Sequence, residues 1–190
     1  MLEDLEPYLQ GRLDGMCGIY STINAFRTAC AKAGYRSQIA WRDVFQGILA
    51  RLELRWKLHD LVPHGLTSYQ HSLCVHYVRT YLRRFHKIQT RIEWPLRDRK
   101  RVSMLTELKR LGKHLDIECA TAILGYGGEK VEHWTTIVAV MESRLLLADS
   151  SGGHTMRING FTFNRDECLT ERMRYVVGPE DLVIITVLRE

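Results

Sequence analysis

The chain has 190 residues, 45% of them hydrophobic, 9% aromatic and 26% charged, so it can bury a core within one domain and is not expected to be disordered. No apolar run approaches the roughly 18–20 residues that span a bilayer, and the acidic start MLEDLEPYLQ lacks a basic n-region; neither a membrane helix nor a signal peptide is expected, and the expected location is cytoplasmic. The net charge of +5 is uneven: twelve of the 27 basic residues but only three of the 22 acidic ones lie between Arg79 and Lys113, leaving fifteen against nineteen elsewhere.

Periodicity divides the chain into two parts. Ile19, Ile23, Phe26 and Cys30 recur at three- and four-residue steps, predicting a helix from Cys17 to Ala33 with Gly34 as its cap. A second helix is predicted over about Gln38–Leu58, with Val44, Phe45, Ile48, Leu49, Leu52 and Trp56 on its apolar face, broken at Pro63-His64-Gly65. A third fits Ser68–His86, where Tyr69, Leu73, Tyr77, Tyr81 and Phe85 form a stripe suited to core packing. Trp94-Pro95 and the basic run to Arg101 read as a loop, followed by a short helix near Met104–Leu115. From Ile117 the character changes. IECATAILGYGG, HWTTIVAV, RLLLADS and EDLVIITVL are strand-like, and GGHTMRING and MRYVVG are candidates for two more. Helices first and strands later, without βαβ alternation, predict an α+β domain with an antiparallel sheet.

Five cysteines (Cys17, Cys30, Cys74, Cys119, Cys168), odd in number and without a CxxC pair, argue for reduced thiols rather than a disulfide scaffold or structural zinc. Cys17 stands apart. It follows the turn-forming Asp14-Gly15 and opens the first helix, where unpaired N–H groups and the helix dipole stabilise a thiolate and make the sulfur nucleophilic. His133 starts a strand just after the Gly-rich turn Gly125–Gly128, and Asp149 ends the next strand. A hairpin turn centred between Glu142 and Ser143 pairs Asp149 with Thr136, roughly 10 Å along the strand from His133. A bulge or another turn would shorten that distance. A carboxylate within reach fixes the imidazole tautomer while the opposite nitrogen takes the thiol proton. Singly, each residue has an ordinary reading: a packed cysteine, a satisfied histidine, a turn-forming aspartate. Together, in this order, they make a nucleophilic triad for acyl transfer.

The segments LQGRLDGMCGIYSTINAF, EHWTTIVAV and LLLADSSG together resemble papain-like cysteine peptidases, nearest the bacterial C39-like branch, over about half the chain. That family has a Cys-Gly at the start of its central helix, a His opening a core strand, and an Asp or Asn closing the next. The resemblance implies one papain-like α+β domain over residues 1–190. A helical part to about residue 115, including a basic helical segment 79–113, would pack on an antiparallel sheet from about 116. It implies Cys17 as nucleophile, His133 as base and Asp149 as orienting acid, with Gln10 and the Cys17 backbone N–H as oxyanion donors. Asp14 stands as the alternative to Gln10. No cofactor or metal is implied. The middle, about Ser37–His114, matches no family pattern, and substrate specificity is expected there.

The expected function is therefore a thiol hydrolase cutting a peptide or isopeptide bond through a thioester. The same three side chains also suit transglutaminase-like acyl transfer or glutamine deamidation, and a non-catalytic module docking an acidic partner through residues 79–113 is the alternative outside enzymology. That basic segment reads either as a solvated face or as a dock for a polyanion, and it carries no nucleic-acid motif. His71, Cys74 and His76 have metal-binding side chains, but His76 falls off the face shared by the other two and a fourth ligand is missing. Gly125-Tyr126-Gly127-Gly128 lacks the pattern of a phosphate loop and reads as the turn that presents His133.

Overall fold

The computed structural model describes residues 6–10, 15–36, 38–97, 103–128, 132–162 and 175–189. Among the described residues, five α-helices and eight strands form a mixed helix and sheet architecture: α1 (Cys17–Lys32), α2 (Trp41–Glu53), α3 (Leu58–His64), α4 (Ser68–Tyr81), β1 (Thr90–Glu93), α5 (Met104–Ile117), β2 (Ala120–Gly127), β3 (Glu132–Val140), β4 (Arg144–Leu147), β5 (Thr155–Arg157), β6 (Phe161–Thr162), β7 (Tyr175–Val176) and β8 (Leu182–Val187). The main sheet runs β1-β8-β2-β3-β4-β5 with antiparallel pairing throughout. A parallel two-residue pair, β6 with β7, is attached to the end of β2.

Each face of the sheet carries its own core. α1, α2 and α4 pack against Ile123, Val183, Ile185 and Val187 on one side. On the other, α5 packs Met104, Leu108, Leu111 and Leu115 against Ala122, Leu124, Ile137 and Ile184. The central strands β2 and β8 are therefore apolar on both faces, which explains their continuous rather than alternating patterns. α1 is the most deeply enclosed helix, with Ile19, Ile23, Phe26 and Cys30 at 2% exposure or less. Full burial of each large apolar side chain contributes about 1.5–3 kcal/mol. The helix ends as its sequence predicts: Gly34 has φ +97°, and the Gly34 and Tyr35 N–H groups donate to the carbonyls of Ala31 and Cys30, a Schellman cap.

Several expectations needed correction. The second helix ends at Glu53, because the chain turns at Leu54–Lys57, and a separate short helix, α3, follows from Leu58. Pro63 lies in the last turn of α3, and the break falls at Gly65, whose φ is +74°. The third helix spans Ser68–His86 as expected, with its last turn, Leu82–His86, π-helical. Its buried face is Gln70, His71, Cys74, Val75, Val78 and Leu82, whereas Tyr69 and Phe85 of the expected core stripe are 56% and 62% exposed. TRIE, missed as a strand, forms edge strand β1 against β8. Gly152–Gly160 yields only three strand residues before a 3₁₀ turn.

The basic segment does not form one surface. α4 and α5 lie on opposite faces of the sheet, separating Arg79, Arg83, Arg84 and Lys87 from Lys109, Arg110 and Lys113. Between them, Arg91 pairs with Glu93 and Glu118, and Arg97 with Glu180. Arg99, Lys100 and Arg101 lie outside the described residues. Among those described, no helix is long and apolar enough to cross a membrane.

Candidate active site

The N-terminus of α1 opens onto a cleft of about 670 Å³, walled by the turn before α4 on one side and by the ends of β2 and β3 on the other. Cys17 is its first helical residue and is 6% exposed. Among the described residues α1 has no side-chain N-cap, unlike α4, which starts on a Thr67–Gln70 capping box, and α5, which starts on Ser103. The first-turn N–H groups of a helix have no partners within it, so here they contribute their positive dipole end at the sulfur. Gly15 allows the close fit of this turn. Its N–H donates to the Val62 carbonyl at 2.5 Å, and a Cβ there would lie 2.8 Å from that oxygen and 2.9 Å from the Gly65 nitrogen.

His133 enters from β3. Its Nε2 lies 3.0 Å from Asp149 Oδ2 and 3.2 Å from Oδ1, and it lines the same cleft as Cys17, whose thiol donates to the Gly15 carbonyl at 3.8 Å. With Nε2 on Asp149, Nδ1 is the nitrogen left to face the sulfur. Burial alone would lower the imidazolium pKa, but hydrogen bonds and charge from Asp149 and Cys17 outweigh it and raise the value to about 9. Burial likewise opposes the Asp149 carboxylate; hydrogen bonds from His133 and Ser151, with the imidazolium charge, hold it down at about 2. Ser151 donates through both its backbone N–H and its hydroxyl to Asp149 Oδ1, each at 2.6 Å. The arrangement favours an imidazolium held between the Asp149 carboxylate and Cys17.

A bulge produces this approach. Val140 and Ala139 pair with Leu145 and Leu146 as the simple hairpin predicts, but Ile137 pairs with Leu147, leaving Val138 as an extra residue in β3. The Ala148 N–H then donates to the Thr136 carbonyl at 2.9 Å. Continued in that register, Asp149 stands opposite Thr135 rather than Thr136. Because side chains alternate faces, the one-residue shift shortens the reach to His133 and also puts Asp149 on the same side of the sheet.

Gln10, the fourth residue expected at the site, lines the same cleft. Its backbone N–H donates to the Ser150 carbonyl at 3.0 Å, and its Oε1 accepts from the Ser150 hydroxyl at 3.1 Å. The structure thus brings Cys17, His133, Asp149 and Gln10 together. Asp14, the alternative to Gln10, lies outside the described residues.

Other residues of the site were not singled out by the sequence. The Trp134 indole is sandwiched: His71 stacks on it at 3.9 Å and 16°, and Gly125 leaves no room for a Cβ, which would fall 2.7 Å from the ring. Its Nε1–H donates to the Leu66 carbonyl at 3.2 Å, tying the start of β3 to the opposite cleft wall. A glycine within a strand, directly across from a tryptophan, was the available signal. Tyr126 also lines the cleft, edge-on to His133 at 5.7 Å; burial, then the charge of Asp149, pushes its phenol pKa up.

Of His71, Cys74 and His76, the first two are buried, whereas His76 is exposed beside Trp94. Burial pushes the His71 pKa down to about 3, keeping it neutral. The Thr22 hydroxyl donates to the Gly18 carbonyl at 2.7 Å, so His71 Nε2, 3.1 Å away, is the donor to Thr22. The Cys74 thiol donates to the Gln70 carbonyl, and burial pushes its pKa up to about 12. Among the described residues no group of three His, Cys, Asp or Glu side chains could hold a metal ion. No family model matches the sequence, and comparison with the curated proteins found no match.

Proposed function

We propose that the protein is a papain-like thiol hydrolase that cleaves a peptide or isopeptide bond through a Cys17 thioester. The observation that carries this reading is a His133–Asp149 pair hydrogen-bonded at 3.0 Å whose imidazole lines the same helix-end cleft as Cys17. His133 holds the proton of Cys17 on Nδ1 as an imidazolium, leaving a thiolate. The thiolate then attacks the substrate carbonyl carbon, and the carbonyl electron pair moves to oxygen, where the Cys17 backbone N–H and the Gln10 amide stabilise it. Collapse breaks the C–N bond as the imidazolium protonates the leaving amine. Water, deprotonated by His133, then hydrolyses the thioester and regenerates the thiol. Asp149 holds the ring and stabilises its charged form throughout.

Labelling with iodoacetamide at neutral pH and mapping the adducts by mass spectrometry tests the reading. Cys17 should react first and should slow in His133→Ala. Cys30 and Cys74, both buried with pKa values pushed up to about 12, should react only on unfolding. Equal reactivity of all three would remove the proposal and favour a non-catalytic module. Acyl transfer to an amine and glutamine deamidation use the same first half-reaction. Incorporation of a labelled amine in preference to hydrolysis would reassign the second half. We place the acidic partner expected of the basic segment at exposed Arg79, Arg83, Arg84 and Lys87, none of which forms an ion pair among the described residues. Its affinity should fall steeply with salt.

A further inference from the structure

The turn after β4 holds two parts of the site with consecutive residues. Asp149 is committed to His133 through both carboxylate oxygens and to Ser151 through Oδ1. Ser150, 2% exposed, turns away from that pair and donates its hydroxyl to Gln10 Oε1 at 3.1 Å, while its carbonyl accepts the Gln10 backbone N–H at 3.0 Å. The Gly152 N–H closes the turn on the Asp149 carbonyl at 3.2 Å, with Gly152 at φ +87°. The segment carrying Gln10 is pinned a second time, two residues earlier. The buried Asn24 amide of α1 accepts from the Tyr8 N–H at 2.9 Å and donates to the Tyr8 carbonyl at 3.1 Å. The Arg27 guanidinium lies over the Tyr8 ring and donates to the Glu6 carbonyl.

We propose that Ser150 is a positioning residue for oxyanion stabilisation: by fixing Gln10 Oε1 it sets the direction in which the Gln10 Nε2–H bonds point, while Asn24 fixes the segment that carries them. This rests on the thiol-hydrolase reading above. A primary amide is planar, so anchoring its oxygen leaves its N–H bonds a narrow range of directions, and a preorganised donor is worth far more to a developing oxyanion than a mobile one. Ser150 acts only through Gln10. One turn therefore aligns base and oxyanion donor together, Asp149 through His133 and Ser150 through Gln10.

Two reactions of the full-length protein separate the roles. In p-nitrophenyl acetate acylation the Cys17 thiolate attacks the ester carbonyl, an oxyanion forms and p-nitrophenolate leaves; water later releases acetate from the thioester. Alkylation by iodoacetamide is a displacement at carbon that forms no oxyanion. Ser150→Ala should slow the p-nitrophenolate burst about tenfold, and Gln10→Ala about a hundredfold. Iodoacetamide alkylation of Cys17 should stay within about twofold in both. The Gln10→Ala/Ser150→Ala double variant should be no slower than Gln10→Ala alone, and Ser150→Thr, which keeps the hydroxyl, should acylate faster than Ser150→Ala. An unchanged burst in Ser150→Ala overturns the proposal. So does a double variant showing the product of the two losses, or an equal fall in alkylation, which would mean that Ser150 acts on the triad. A merely structural contact would lower the melting temperature without separating the two reactions. A wild-type burst that persists in Cys17→Ala overturns the thiol-hydrolase reading, and the Ser150 assignment with it.

Discussion

The Lys32 ammonium, at the opposite end of α1 from Cys17, donates at 3.2 Å to the carbonyl of Val138, the extra residue of the β3 bulge. It also reaches the Ala120 carbonyl at 2.8 Å and the Leu115 carbonyl at 3.5 Å. A bulged residue falls out of the regular ladder, and a charged donor here takes up its oxygen. The bulge determines which face of the sheet Asp149 occupies, so Lys32 supports the triad from the far end of the same helix. Burial lowers the Lys32 pKa, with Asp116 and Cys119 acting the other way, so desolvation offsets part of the gain. Lys32→Met keeps the apolar stem but strips the donor from three backbone carbonyls. It should destabilise the fold by about 2 kcal/mol and weaken the His133–Asp149 contact. Urea denaturation measures the first effect and the His133 titration midpoint the second; an unchanged pair of values would remove this role.

The titration of that pair has a definite sign. His133 is raised from 6.5 to about 9, so its contribution is complete below pH 6.5 and is lost as pH rises through 9. Asp149 is lowered from 3.8 to about 2, so its contribution is complete above pH 3.8 and is lost as pH falls through 2. The stability difference between wild type and Asp149→Ala should therefore be greatest between about pH 4 and 6.5 and should shrink toward pH 10. In the variant the His133 midpoint should move down, because burial then acts with less opposition. Imidazole proton resonances followed by NMR report the midpoint directly, and a value still near 9 in Asp149→Ala would assign the shift to Cys17 instead.

Gly15 makes a steric prediction at the nucleophile. The three atoms that a Cβ would approach, the Val62 oxygen and the Gly65 nitrogen and Cα, belong to backbone and cannot swing aside as a side chain would. Gly15→Ala should cost about 1–3 kcal/mol and displace the Cys17 turn from the α3–α4 wall. Alkylation of Cys17 should then slow in protein that is still folded by circular dichroism. Retention of full reactivity would show that the turn can relax elsewhere.

The contrast between what the sequence reveals and what it hides follows from these contacts. The apolar spacing of α1 and the Gly34 cap are local properties, and so were readable. Cys17, His133 and Asp149 were readable as chemistry and as chain order. Their meeting was not, since an ideal hairpin sets Asp149 opposite Thr136 on the wrong face. The bulge that corrects this involves Lys32, more than a hundred residues away in the chain. The α4 stripe misled for a related reason. Tyr69 and Phe85 outweigh Gln70 and His71 in hydrophobicity, yet the polar pair goes inside because the Thr67 capping box, the Trp134 ring and the Thr22 hydroxyl satisfy it, while Tyr77 and Tyr81 pack partly buried against the core. β1 escaped notice because TRIE is half charged, and an edge strand needs only one apolar face.

His71 supplies the last prediction, and its sign differs from that of His133. It is buried and neutral behind Trp134, with its pKa pushed from 6.5 down to about 3. Unfolding exposes the ring and lets it take a proton, so between pH 6.5 and 3 the unfolded chain binds more protons than the folded one. Stability from this residue is complete above pH 6.5 and falls as the solution is acidified, by up to about 1.4 kcal/mol per pH unit. The His133–Asp149 pair contributes a nearly constant amount from pH 6.5 to about pH 4, so the two histidines are separable there. His71→Phe preserves a ring against the indole and removes the titrating group. It also removes the donor to Thr22, which costs about 1 kcal/mol at neutral pH, but its stability should decline less steeply on acidification. The two curves should converge or cross between pH 6.5 and 4 in urea titrations. Parallel curves over that range would mean that the acid lability of the fold originates elsewhere.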